Sequence, residues 1–331
     1  MGYRPGQPET RLRMNNHRRR LLHGLLPLLG AAAAVRKVTA SELPPPQVKW
    51  GRLERWTPFP SRQVDPRPVE VWLPPGYDGR KPHAVLYMHD GQMLFDAGST
   101  WNRQAWAVDQ VAAPLLAQGA LRDFIVVGPW NNGPLRFAEY FPQAWLPLVG
   151  EPWRARLTER ALNGPPRSDA YLRFLVQELK PAIDARYATR TGREDTFVMG
   201  SSMGGLISLY ALCEYPQVFS GAACISSHWI GLFERNSAVP DAALQYLRRH
   251  LPDPASVTLW MDRGTRELDA LYDEAQPRVD ALLRELGFGA PRFRTLVHEG
   301  SGHNETDWQR HLAGPLRHLL GTGTAAARAA G

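Results

Sequence analysis

The chain has 331 residues, 44% of them hydrophobic, with 11 Trp and a formal net charge of +7. That is material for one large buried core, arranged as one big α/β domain or two small ones. Residues 1–40 hold eight basic side chains and one acid, Glu9, so the remainder carries 31 residues of each sign and no net charge; nothing in the body argues for a nucleic-acid partner.

At the start of the chain, Arg18-Arg19-Arg20 precede an apolar run from Leu21 to Gly30 and then four alanines. A basic segment followed by about 15 mostly apolar residues reads as a secretory signal, too short and too interrupted to span a bilayer. Small residues suited to cleavage stand at Ala32/Ala34 and Val38/Ala40, and Arg18-Arg19-Arg20-Leu21-Leu22 resembles a twin-arginine export signal. Met14 is an alternative start. The expectation is a leader over 1–40 and a catalytic domain over 41–331, exported to the periplasm or medium, with no stable membrane association after processing. Cys213 and Cys224, both in apolar runs, predict two buried free thiols rather than a disulfide.

Past the stiff Pro44-Pro45-Pro46 linker, strand-like runs occur at 48–56, 68–73, 84–89, 124–128, 196–200, 221–226, 257–261 and 292–298. Helical patterns occur at 103–118, 169–188, 203–215, 240–251, 267–287 and 305–320. Several strands are apolar without alternation, as in a parallel sheet covered on both faces. Strand–helix–strand repetition predicts an α/β domain with a doubly wound, mostly parallel sheet. The first two strands have no helix between them and predict an antiparallel edge.

Residues 130–168 break this rhythm with a long stretch rich in proline and aromatics, including Trp130, Phe137, Tyr140, Phe141, Trp145 and Trp153. Such connections are usually lids or binding loops. Two readings stand: a satellite cluster packed under a loop, or an aromatic wall over a substrate cleft. In the second, Trp130, Tyr140, Phe141 and Trp145 are the candidate substrate-binding residues.

Gly200-Ser201-Ser202-Met203-Gly204 fits G-x-S-x-G between a predicted strand and a predicted helix, the setting of a nucleophile elbow. A sharp strand-to-helix turn strains the central residue, so its neighbours two positions away must lack bulk. The turn lifts the Ser202 hydroxyl above the sheet edge at a helix N-terminus, where backbone donors suit negative charge.

Serine needs a base, and in this arrangement the order is Ser, then Asp or Glu, then His. His303 lies in Gly300-Ser301-Gly302-His303 after the last predicted strand, ahead of a helix. His311 and His318 fall inside helical patterns, His250 ends one, and His298 closes the strand. The acid belongs after the preceding strand, in Asp262-Arg263-Gly264-Thr265-Arg266-Glu267-Leu268-Asp269. Glu267 ranks first because it follows a glycine turn; Asp269, on the next helix, and Asp262, close to the strand, rank behind it. For the oxyanion, the candidates are the Met203 amide and the Gln92 amide in the glycine-containing loop His89 to Asp96. His89 and Asp90 lack further ligands at metal-binding spacing.

Together, LYMHDGQMLFD, FVMGSSMGGLISLYAL, DRGTRE and GSGHNETDW resemble the putative esterase family of α/β hydrolases, which includes esterase D and the enterochelin, feruloyl and acetylxylan esterases, with the mycolyltransferases. The likeness spans roughly residues 50–320, with the four segments in the family's order. It implies an α/β-hydrolase fold, a Ser202 nucleophile, a His303 base, oxyanion amides at Gln92 and Met203, and an acid in GTRELD that favours Glu267. It implies no cofactor. The expected activity is hydrolysis of a carboxylic ester, carbohydrate-linked or aromatic, through an acyl-enzyme. The alternatives are an acyltransferase on the same site and a non-catalytic carbohydrate-binding protein.

Overall fold

The computed structural model describes residues 46–323; the leader read in 1–40 lies outside them. Eight strands form one sheet: β1 (Arg52–Phe59), β2 (Arg67–Leu73), β3 (Ala84–Met88), β4 (Phe124–Pro129), β5 (Thr196–Ser201), β6 (Gly221–Ile225), β7 (Thr258–Arg263) and β8 (Phe293–Val297). Their order is β1-β2-β4-β3-β5-β6-β7-β8. β1 and β2 pair antiparallel, as does β2 with β4, and the other pairings are parallel. All eight expected strands are present, and the antiparallel edge is where the missing crossover helix put it.

The central strands are buried along their whole length, which explains their unbroken apolar runs: both faces are covered. Alternate residues of β3 serve different cores. Val85 and Tyr87 pack with Leu206, Val239 and Val279 from helices Met203–Glu214, Ala238–His250 and Ala275–Glu285. Leu86 and Met88 pack with Val108 and Leu316 from helices Val108–Ala117 and Ala313–Leu320 on the other face. Helix Met203–Glu214 is buried at every position but the last, so it has no polar face to present. Both cysteines are free and buried. Among the described residues no helix is long and apolar enough to cross a membrane.

The 130–168 segment folds into short helical turns at Gly133–Leu135, Arg136–Tyr140, Gln143–Leu148, Trp153–Leu157 and Thr158–Leu162. Here the expectation of an aromatic wall is corrected. Tyr140, Phe141 and Trp145 are fully buried. Trp145 stacks on Trp229 with centroids 6.3 Å apart and meets Phe141 edge-on at 6.1 Å. Trp130 is half-buried under the Arg55 guanidinium, 5.1 Å from its ring. Tyr140, Phe141 and Trp145 belong to the core, where each removes a large apolar area from water. A buried ion pair, Arg67 to Glu139 with two bonds of 2.7 and 2.8 Å, ties the segment to β2.

Candidate active site

The candidate residues gather at the carboxyl ends of the parallel strands, where open α/β sheets bind ligands. Ser202 follows β5, the loop of Asp90 and Gln92 follows β3, the segment of Glu267 and Asp269 follows β7, and His303 follows β8.

Ser202 has φ 58° and ψ −122°, a conformation that side-chain-bearing residues avoid. The neighbouring glycines explain how it is tolerated. A Cβ on Gly200 would lie 2.7 Å from the Gly204 carbonyl carbon, and one on Gly205 would lie 2.4 Å from Ser227 Oγ. The strained peptide is held on both sides: Ser202 N–H donates to Ile225 O at 2.9 Å, and Ser202 O accepts from His228 N–H at 3.2 Å. The next residue, Met203, opens the buried helix, so its amide belongs to the first turn and has no intrahelical acceptor.

Opposite, Asp90 adopts φ 60°, ψ 48° and starts the short 3-10 turn Gly91–Met93 that carries the Gln92 amide. Gly91 is required there, because a Cβ would sit 2.1 Å from Gly128 O. The Gln92 side chain is held by Asn131, Oε1 accepting from the Asn131 N–H at 3.1 Å.

His303 meets a carboxylate, but not the one ranked first from sequence. The partner of its Nδ1, at 2.5 Å, is Asp269 Oδ1. Asp269 is fully buried, and its Oδ2 accepts from Ser226 Oγ at 2.6 Å and from Gly264 N–H at 2.5 Å. Trp308 Nε1–H in turn donates to Ser226 Oγ at 3.0 Å. Glu267, at φ 55°, accepts from the His303 backbone N–H at 2.8 Å and supports the loop rather than the ring. The cause is the 3-10 helix Glu267–Tyr272, which turns Asp269 inward while Glu267 stays at the loop surface. Asp262 is occupied elsewhere, accepting from Trp260 Nε1–H at 2.8 Å. His298 stacks on His311 at 3.7 Å, in a structural pair.

Ser202 and His303 line one cleft of about 280 Å³. Its other walls are polar residues, among them Asp90, Asn131, Arg136 and Asn304, and the aromatic group Trp101, Trp106 and Trp308. Trp106 and Trp308 stack at 5.4 Å, and Trp101 is 86% exposed. A larger cavity, about 630 Å³, is lined by Trp50, Pro74 and Lys81 before the start of β3. It includes neither Ser202 nor His303, so size is a poor guide to the chemistry here.

Three features were not read from sequence. Arg136 grips Asp90, with Nε to Oδ1 at 2.7 Å and Nη2 to Oδ2 at 2.6 Å, and Asn131 Nδ2 adds a bond to Oδ1 at 2.7 Å. Burial by itself would raise the Asp90 pKa, but Arg136 pulls it below the usual carboxylate range. His89 and His228 are buried, and desolvation lowers each to about 3, so both are neutral near pH 7. Tyr272 contacts His228 Nδ1 through its hydroxyl at 2.7 Å. The sequence signal for Asp90 was its place before Gly91; the other partners are distant in sequence and carried none.

The family model described as Putative esterase matches residues 62–319. The siderophore triacetylfusarinine C esterase of Aspergillus fumigatus is 26% identical over 278 residues, covering 71% of this chain and 86% of that protein. A solved ferulic acid esterase superposes with a TM-score of 0.61 at 19% identity, over 82% of this chain and 98% of its own. The enterobactin esterase FES from Shigella flexneri gives 0.59 at 19% identity, over 83% and 60%.

Proposed function

We infer, for a chain that belongs to the Putative esterase family and hydrolyses carboxylic ester bonds on an α/β-hydrolase fold, that Ser202, His303 and Asp269 form its catalytic triad. The observation that carries this reading is the 2.5 Å contact between His303 Nδ1 and Asp269 Oδ1, in a cleft that also holds the strained Ser202. An ionised carboxylate only accepts, so Nδ1 carries the proton and Nε2 is left as the base.

Ser202 Oγ attacks the ester carbonyl as His303 Nε2 takes its proton. The oxyanion rests on the amides of Met203 and Gln92, worth about 3 kcal/mol each in comparable sites. The alcohol leaves with the proton from His303, and water repeats the sequence on the acyl-enzyme. Asp269 keeps the imidazole in the working tautomer and balances the imidazolium. Ser202→Ala is expected to abolish hydrolysis of p-nitrophenyl acetate and labelling by a fluorophosphonate probe. Wild-type turnover in that variant refutes the assignment.

The substrate is read from the cleft walls. Trp101 offers an exposed ring, Trp106 and Trp308 add apolar wall, and Asn102, Asn131 and Glu305 add polar atoms, a combination suited to an aromatic acyl group or a sugar alcohol. The likeness to proteins named ferulic acid esterase and endo-1,4-beta-xylanase/feruloyl esterase supports an ester of this kind. Comparing acetyl, feruloyl and siderophore esters tests it, and a strict preference for long acyl chains overturns it. The basic, apolar leader supports export of the enzyme.

A further inference from the structure

Among the described residues, neither the Gln92 nor the Met203 N–H has a backbone acceptor, so both amides are free to meet an oxyanion. They are not held alike. Met203 is fixed by the buried helix it opens. Gln92 sits in the single 3-10 turn Gly91–Met93, entered through Asp90 at φ 60°, ψ 48°, a left-handed conformation that costs energy in any residue with a side chain. Packing wedges the turn in place: a Cβ on Gly91 would meet Gly128 O, and one on Gly204 would stand 3.4 Å from His89 Cβ and 3.5 Å from Asp90 Oδ2. Packing sets where the turn lies, whereas the aim of one N–H depends on how its peptide is rotated.

Asn131 holds that rotation. It stands two residues past β4, the neighbour of β3 in the sheet, on a base fixed by the Trp130 N–H bond to Pro68 O at 3.0 Å. Its backbone N–H donates to Gln92 Oε1 at 3.1 Å, and its Nδ2 donates to Asp90 Oδ1 at 2.7 Å. Its Oδ1 accepts from Gly133 N–H at 2.9 Å. That bond decides which end of the amide faces Asp90, because the other flip would set oxygen against a carboxylate and NH2 against N–H. Among the described residues Asn131 alone bonds the residues on both sides of Gly91; Arg136 reaches Asp90 but not Gln92.

We propose that Asn131 is a positioning residue for catalysis: by clamping Asp90 and Gln92 together it aims the Gln92 amide at the oxyanion of the tetrahedral intermediate. This role rests on Ser202 being the nucleophile that forms that intermediate.

An amide aimed in this way acts where the carbonyl oxygen carries charge, in the transition state and not in the bound ester. Acylation and deacylation both pass through a tetrahedral oxyanion. Loss of aim therefore slows both steps and leaves binding of the ester alone.

Asn131→Ala keeps the backbone bond to Gln92 and removes the one to Asp90. With p-nitrophenyl acetate, kcat is expected to fall about 10- to 50-fold, short of the roughly 10²–10³-fold lost when a donor is removed outright, with KM within about twofold of wild type. In stopped flow the burst and the steady state are expected to slow together. A trifluoromethyl ketone forms a tetrahedral oxyanion on the serine, and its affinity should weaken by the same factor as kcat/KM. A merely structural defect, which lowers the amount of folded enzyme, leaves that inhibition constant where it was. Asn132→Ala, which removes a bond to Asp65 Oδ2 in the same loop, is the control and is expected to behave as wild type. If Asn131→Ala does not fold, Gln92→Ala decides: it removes the other tie at a half-buried side chain, keeps the backbone amide, and is expected to show the same pattern at about 3- to 10-fold. Unchanged kcat, a rise in KM at full kcat, or a fall in kcat with full affinity for the ketone overturns the proposal. Failure of wild-type Ser202 to react with a fluorophosphonate overturns the nucleophile assignment itself; a labelled Ser202 with undiminished ketone affinity in Asn131→Ala overturns only the role of Asn131.

Discussion

Asp269 and His303 are 34 residues apart in sequence and 2.5 Å apart at Oδ1 and Nδ1. The second oxygen of Asp269 is held by Ser226 and Gly264, so the carboxylate cannot swing away from the ring. Asp269→Asn offers Nδ1 the wrong tautomer and is expected to lower kcat by about 10³-fold or more. Glu267→Gln keeps an acceptor for the His303 backbone N–H and is expected to stay within about tenfold of wild type. Steady-state kinetics on p-nitrophenyl acetate separate the two, and the reverse order of effects contradicts the assignment.

The elbow glycines carry a second prediction. At Gly200 an added methyl lands 2.7 Å from the Gly204 backbone, and backbone has no rotamer with which to yield. Gly200→Ala is expected to cost at least about 2–3 kcal/mol of stability and most of the activity. Chemical denaturation reads the first, and an unchanged midpoint would show that the turn has slack.

Acid stability follows from the two buried histidines. His89 and His228 titrate at about 3 in the folded protein against 6.5 as free side chains. Between those values the unfolded chain binds more protons, so the stability they contribute is complete above about pH 6.5 and is lost as pH falls toward 3. Each adds up to about 1.4 kcal/mol per pH unit in that window. Urea melts at pH 7, 6 and 5 should show falling stability, and His89→Asn should flatten the slope. A stability that rises on acidification over this range contradicts the account.

Trp101 offers a cleaner probe of the cleft, because at 86% exposure it contributes little to the core. Trp101→Ala is expected to leave the melting temperature unchanged within about 1–2 °C. KM for feruloyl esters should rise several-fold while acetyl esters change little. Equal effects on both esters would remove Trp101 from substrate contact.

The Asp90–Arg136 pair makes a stability prediction. Asp90 is buried and Arg136 largely so. Removing one partner strands the other charge, so Asp90→Asn is expected to cost about 3–5 kcal/mol. The double variant with Arg136→Met is expected to recover part of that loss, since no lone charge remains. A double-mutant cycle measured by denaturation checks it; simple additivity would mean the two do not act as a pair.

What could be read in the residues was what is local. Strands β3 to β7 announce themselves because a doubly covered strand must be apolar at consecutive positions. The elbow does so because Ser202 needs bare neighbours within a few residues, and a requirement that close in sequence is written as a motif. His303 was legible for a related reason, as a histidine in a glycine loop after the last strand. The 130–168 segment was harder. Its aromatic content marked it as special, but an apolar ring over a cleft and one under a roof have the same letters.

By itself, then, the amino-acid order determined the strand list, the antiparallel edge, the turn that raises Ser202 and the loop that carries His303, because each follows from spacing along the backbone. Tertiary structure alone decided that Asp269 rather than Glu267 faces the imidazole, that Tyr140, Phe141 and Trp145 are core, and that Arg136 grips Asp90. Those outcomes depend on where two distant segments come to rest, to within the few tenths of an ångström over which a hydrogen bond is made or lost, and spacing along the chain does not set that distance.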